Sequence, residues 1–259
     1  MNALTKINIA VGILIFSFTI YATPPLVTGD VPTADKESFE LYVGTRYVQS
    51  DSGSIERQIP TTELVYGIMD RWEATLAVPY VYTGGQHGLG DIELESKVLL
   101  LSETSLRPGL ALSGNIKFDN GNASDGLGSG GNEYELRLRS QKTFGWFTPI
   151  VNFGYTIVPD VEIGGINYAR QNTWRASFAQ EYAVGKTTTL LSEIYWNTSD
   201  SASGPDRFAG NVGFKQKITS NFRVHAAVGT SLRDHSEGGP ELRVYVGFKY
   251  EFGAPWKKK

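Results

Sequence analysis

The chain has 259 residues, 20% of them charged and 41% hydrophobic, with a formal net charge of −3. That balance excludes a disordered chain and a helical membrane bundle, and it supplies no strongly basic face for nucleic acid. Glycine (29) and aromatic residues (12%) run high, methionine (2) is scarce, and the profile is one of strands and turns. The absence of cysteine removes disulfides, thiol catalysis and cysteine-based zinc sites.

Lys6 precedes an apolar run from Ile7 to Ile20, followed by Tyr21-Ala22. A lone cation, an apolar core shorter than the ~20 residues of a spanning helix, and a small residue before polar chain predict a secretory signal peptide over residues 1–22. A membrane anchor is the alternative. Residues 23–38 then read as a periplasmic lead-in, 39–252 as one β domain, and 253–259 as a basic tail.

From Phe39 onward, apolar and polar residues alternate in segment after segment, as they do in strands with two unlike faces. The first predicted strand, 39–47, sets Phe39, Leu41, Val43 and Tyr47 against Glu40, Tyr42 and Arg46. Strands at 61–69 and 72–82 follow, joined by a tight Asp70-Arg71 corner. In 91–101, Ile92, Leu94, Val98 and Leu100 oppose Asp91, Glu93, Glu95 and Lys97. Segments 110–118 and 133–141 repeat the pattern, with Lys117 on the polar face of one and Glu133, Glu135, Arg137 and Arg139 on that of the other.

The second half continues with 147–157, then 173–184, where Trp174, Phe178 and Tyr182 oppose Arg175 and Glu181. Glu193 lies on the polar face of 190–198, and 208–218 and 222–232 come next. The last segment, 242–252, has Leu242, Val244, Val246, Phe248, Tyr250 and Phe252 on one face and Arg243, Lys249 and Glu251 on the other. About 12 strands result.

The apolar faces carry Trp and Tyr near segment ends, as interfacial girdles require. The polar faces carry mixed charge where a soluble barrel needs an apolar interior. Short connections alternate with longer polar ones at 50–57, 84–90, 119–132, 159–170, 200–206 and 234–240, which matches short periplasmic turns and longer external loops. The prediction is an all-β protein: a transmembrane antiparallel up-and-down β-barrel with lipid outside and a polar lumen.

Glu93, Glu95, Lys97, Lys117, Glu133, Glu135, Arg137, Arg139, Arg175, Glu181, Glu193, Arg223, His225 and Arg243 are the predicted lumen-lining residues. Ladders of charge select ions and orient polar solutes. Alternatively, opposite charges pair across neighbouring strands and fill the interior; a hairpin centred near Glu103 and Thr104 sets Asp91 close to Lys117. Gly126-Leu-Gly-Ser-Gly-Gly131 lacks the flanking strand and helix of a phosphate loop and reads as a flexible external loop. Oxygen ligands between Asp119 and Asp125 lack the bidentate Glu of a calcium loop. His87 and His235 fall in loops. His225 points inward with no Ser motif beside it, which disfavours a lipid hydrolase, so neither catalysis nor a cofactor is expected.

Gly88-Leu-Gly-Asp91, the run from Arg107 to Phe118, Asp125 to Gly131, and Asn152-Phe-Gly-Tyr-Thr156 together resemble the MetA-pathway of phenol degradation family. The corner from Gly67 to Trp72 and Val78-Pro-Tyr80 are similar to it as well. The resemblance covers roughly residues 60 to 252 and implies a bacterial outer-membrane barrel that transports small, hydrophobic or aromatic solutes. Lys117-Phe-Asp-Asn-Gly121 departs from the Leu-Pro-Thr-Gly-like turn common in such proteins. Gly247 to Phe252 resembles the C-terminal signal read by the barrel assembly machinery, which implies that machinery and outer-membrane lipid as partners. A closed barrel acting through its external loops is the alternative function.

Overall fold

The computed structural model describes residues 24–50, 53–233 and 240–253. The predicted signal peptide, His235, most of the last external link and the lysines of the tail lie outside the described residues. The strands in chain order are β1 (Ser38–Ser50), β2 (Ile55–Met69), β3 (Trp72–Thr83), β4 (Gln86–Leu89), β5 (Glu93–Leu101), β6 (Gly109–Lys117), β7 (Glu133–Gln141) and β8 (Phe147–Ile157). They continue with β9 (Val161–Ile163), β10 (Ile166–Tyr168), β11 (Thr173–Val184), β12 (Thr188–Asn197), β13 (Arg207–Lys217), β14 (Phe222–Ser231) and β15 (Pro240–Gly253).

All but β4, β9 and β10 form a closed antiparallel barrel of 12 strands, each paired with the next barrel strand in the chain and β1 with β15, while β4 adds to the same sheet beside β3. The seam runs in register from Ser38 opposite Gly253 to Gln49 opposite Leu242. Closure leaves no unpaired edge, which a sheet surrounded by hydrocarbon cannot afford. Phe39 stacks on Phe252 across the seam at 5.3 Å between ring centroids. Deeper along it, a Cβ on Gly44 would stand 2.6 Å from Tyr245 Cζ, so only glycine lets this ring lie flat on the opposing strand.

The polarity is that of a lipid-facing barrel. Leu94, Leu136, Phe153, Ile194 and Val246 are exposed on the outside, while Glu93, Lys97, Arg137 and Asn152 are buried inside. Aromatic pairs mark both rims. Trp146 lies 5.7 Å from Tyr182 at the short-turn end, and Trp174 lies 4.4 Å from Tyr155 at the long-loop end.

Three departures from the sequence reading have local causes. First, β2 begins at Ile55, six residues before the predicted start. The register on both flanks shifts between Gln58 and Thr61, because Ile59 and Pro60 form a bulge and Pro60 has no N–H for the ladder. The alternation breaks there although the strand does not. Second, the link at 84–90 contains β4, which folds back on β3 and sets His87 5.6 Å from the Tyr82 ring; β9 and β10 form a hairpin in the link at 159–170. Third, the turn after β5 runs from 102 to 108 and the register shifts between Leu99 and Leu101, so Glu93 rather than Asp91 stands opposite Lys117.

The predicted lead-in shows the largest difference. Expected outside the barrel, residues 24–34 are threaded into its interior, with Pro24 to Gly29 buried.

Candidate functional site

A segment without regular secondary structure that enters a closed barrel must find acceptors for its backbone N–H groups, since each one left unmet costs about 1–3 kcal/mol. The polar inner face supplies them. Glu193 on β12 accepts from Val27 N at 2.7 Å and Thr28 N at 2.8 Å, and also from Thr28 Oγ1 at 2.8 Å and from Asn211 Nδ2. Asn152 on β8 pairs with Gly29 in both directions, at 2.7 and 2.9 Å. Val31 N donates to Gln141, and Ala34 N to Glu73 at 2.6 Å. Leu26 packs with Ile150, Ala179 and Leu191, and Val27 with Tyr195 and Ala209. Leu26 to Gly29 therefore lie against β8 to β13, and the segment then crosses the lumen to Ala34, which packs with Tyr42 on β1 and Val65 on β2.

All fourteen predicted residues lie on the inner face, and most meet a partner there. Lys117 Nζ pairs with Glu133 at 2.7 Å, and Glu133 also receives Arg170 from the external link at 2.8 Å. Arg170 reaches Asp200 at 2.8 Å as well, tying two loops to the wall. Arg139 pairs with Glu95 at 2.5 Å and donates to Ser113 at 3.0 Å. Arg137 holds Glu135 at 2.7 Å, and Arg175 stands 3.9 Å from the same carboxylate while donating to Asn197. Lys97 joins Glu73 at 2.8 Å and donates to the Pro32 carbonyl at 2.6 Å.

Glu181 pairs with Lys215 at 2.7 Å, and Arg223 with Glu251 at 3.4 Å. Glu93 accepts from Asn115 at 3.1 Å. Arg243 faces inward opposite Gly229 and Val48. His225 lies 5.9 Å from the Tyr42 ring and 5.6 Å from Tyr245, away from the lipid side where a barrel hydrolase would need it. Its Nε2 has no hydrogen-bond partner.

Arg46, Glu63, Glu73 and Lys215 are buried or half-buried inward charges outside the predicted set. Strand parity alone marks all four. Asn152 and Asn211 are neutral and gave no signal, and Arg170 comes from a loop with no periodicity.

The lumen left beside the N-terminal segment contains a cavity of about 260 Å³. Pro24, Asp30 and Ala34 of the segment form one side, and Tyr42, Glu63, Glu73, Glu95 and Lys249 of the barrel face them. Lys249 is paired with Glu40 and Glu251, each at 2.8 Å.

At the long-loop end, Asp91 closes a second construction. It accepts from Gly121 N at 3.0 Å, Ser129 N at 2.7 Å and Ser129 Oγ at 2.6 Å. A 3-10 turn at Ala123–Asp125, capped by Asn122 and ended by Gly126 at a φ of 74°, shapes the same loop. The glycine-rich stretch expected to be a flexible loop is thus fastened to the carboxylate that ends Gly88-Leu-Gly-Asp91.

A family model described as "Putative MetA-pathway of phenol degradation" matches residues 27–250. No curated protein sequence matches the chain at a significant level. Among solved structures, the COG4313 outer membrane channel from Pseudomonas putida F1 is similar with a TM-score of 0.68 at 16% identity, over 86% of this chain and 98% of that one. The KdgM porin is similar with a TM-score of 0.56 at 13% identity, over 82% and 99%. At these identities the likeness is one of fold, an outer-membrane β-barrel. The match over residues 27–250 decides the family, and the chain belongs to the MetA-pathway of phenol degradation family.

Proposed function

We propose that the protein is a channel of the bacterial outer membrane through which small solutes, hydrophobic or aromatic ones among them, diffuse passively. The observation that carries this reading is the cavity of about 260 Å³ between the N-terminal segment and the wall formed by β1, β2, β3 and β5. A lumen that served only as filler would leave no such space beside its paired charges. Charged side chains around a narrow passage replace part of a solute's hydration and discriminate by charge and size. The segment sets the width, because it forms one side of the cavity. Diffusion of this kind draws on neither a cofactor nor energy coupling. Solved barrels of like fold include proteins described as a channel and a porin, which agrees with the proposal. Refolded protein in planar bilayers gives discrete conductance steps on this reading, and proteoliposomes take up small aromatic solutes. Absence of both removes it.

A second reading is a closed barrel that acts through its external loops. The fastening of the 119–132 loop to Asp91 and of two further loops by Arg170 favours it. It is separated from the first by permeability: loop deletions then alter partner binding and leave solute flux at background.

A further inference from the structure

The charge that lines the cavity beside the N-terminal segment is already committed. Lys97 is held by Glu73 and Asp30, Arg139 by Glu95, Lys249 by Glu40 and Glu251, and Arg223 by Glu251. A charged solute must break one of these pairs to find a partner. Two polar side chains on the same wall are uncommitted. Glu63 on β2 and Thr75 on β3 are 4% and 5% exposed and line the cavity. Among the described residues, no hydrogen bond or ion pair engages either side chain.

The register sets the two side by side. Glu63 stands opposite Ala77, and Val65 opposite Thr75, so Glu63 and Thr75 are diagonal neighbours on the inner face. Glu63 also stands opposite Tyr42 on β1. Tyr42 packs with Val65 and Ala34, and the three form an apolar patch on the cavity beside the polar pair.

No cation pairs with the Glu63 carboxyl among the described residues. Arg46 attracts a negative charge there but binds Glu56 at 3.5 Å, while Glu93 and Glu95 repel one. An enclosed carboxyl with no counter-ion keeps its proton, because a bare buried charge costs far more. Glu63 is therefore a neutral acid, with an O–H donor and a C=O acceptor side by side.

We propose that Glu63 and Thr75 form a hydrogen-bonding subsite of the passage for a small uncharged ring that carries a primary carboxamide. The proposal rests on the channel reading, which gives the solute its route to the cavity. A primary amide presents an acceptor beside a donor, the complement of a neutral acid, and the pair closes with two hydrogen bonds. One amide N–H is left over, and the Thr75 hydroxyl is an acceptor for it. The patch of Tyr42 and Val65 takes the ring. A cavity of about 260 Å³, at the low end of ligand pockets, holds one such ring.

The test is calorimetry of benzamide with the full chain in detergent micelles, where partition into the micelle is common to every variant. Glu63→Leu removes donor and acceptor and weakens benzamide binding by about tenfold, the scale of one to two neutral hydrogen bonds. Toluene, which has the ring alone, binds this variant as it binds the wild type. Glu63→Gln keeps an uncharged donor and acceptor and holds benzamide to within about twofold of wild type. A tenfold loss in Glu63→Gln as well overturns the neutral acid. No binding of benzamide to the wild type, or equal binding to wild type and Glu63→Leu, overturns the subsite. If Glu63→Leu loses toluene too, Thr75→Val decides: it weakens benzamide by about fivefold, and an unchanged affinity overturns the subsite. None of these results touches the channel, which conductance tests. Benzamide binding that follows this pattern in a protein without conductance removes the channel reading and leaves the subsite standing.

Discussion

Val27 and Glu193 lie 166 residues apart in the chain, and the Val27 N–H points at both oxygens of the Glu193 carboxylate, at 2.7 and 2.9 Å. The contact joins the stretch ahead of the first strand to the middle of β12. It turns a polar lead-in into part of what fills the lumen, and on the channel reading it sets the width of the passage.

Glu193→Gln keeps the shape but turns an NH₂ group toward donors. The loss is about 1–3 kcal/mol for a buried donor left without its acceptor. Amide hydrogen exchange at Val27 and Thr28 then rises by roughly tenfold or more, with exchange in the β5 to β8 strands unchanged. Equal protection of Val27 and Thr28 in the two proteins would falsify the docking role of Glu193.

Arg170→Ala removes the link from Glu133 to Asp200. Breaking a fully buried pair costs about 3–5 kcal/mol, but Asp200 is partly exposed and Lys117 still serves Glu133. A loss of about 1–2 kcal/mol is expected after that discount, read as a lower urea midpoint of tryptophan fluorescence. A midpoint identical to wild type contradicts the role given to Arg170.

Asp91→Ala leaves the Gly121 and Ser129 N–H groups without their acceptor. Loss of about 2 kcal/mol, the scale of hydrogen bonds to a charged group, speeds proteinase K cleavage within residues 119–132 by about thirtyfold in folded protein. The barrel itself keeps its heat-modifiable migration on gels. Cleavage at the wild-type rate shows that the loop is fastened by something else.

Gly44→Ala sets a methyl group against the Tyr245 ring, at about 1–3 kcal/mol for overpacking a tight site. Since the closest atoms to that methyl all belong to Tyr245, adding Tyr245→Ala relieves the clash, and a double-mutant cycle on unfolding midpoints gives a coupling of opposite sign to the single losses. Additive losses mean that the seam does not depend on this contact.

Strand parity made most of the barrel legible. The alternation from Leu242 to Phe252 and its repeats give the strand number, the closing pair and the inward direction of all fourteen candidate residues, because a period of two fixes which side each residue faces. The same logic, applied at Glu63 and Glu73, would have added them. It fails at Ile59 and Pro60, where a bulge resets the alternation. The N-terminal segment was illegible for another reason. Its backbone makes most of the polar contacts, and backbone N–H groups leave no signature in side-chain order. Which carboxylate stands beside which cation depends on register shifts as small as two residues, as the shift from Asp91 to Glu93 opposite Lys117 shows.

Single-channel conductance of the full chain, measured beside a variant lacking residues 24–34, tests the central claim most directly. Small discrete steps from the full chain and larger ones from the variant are predicted, because removing the segment leaves the same wall around a wider lumen. Silence from both proteins, with folding confirmed for each by heat-modifiable migration, contradicts the channel account.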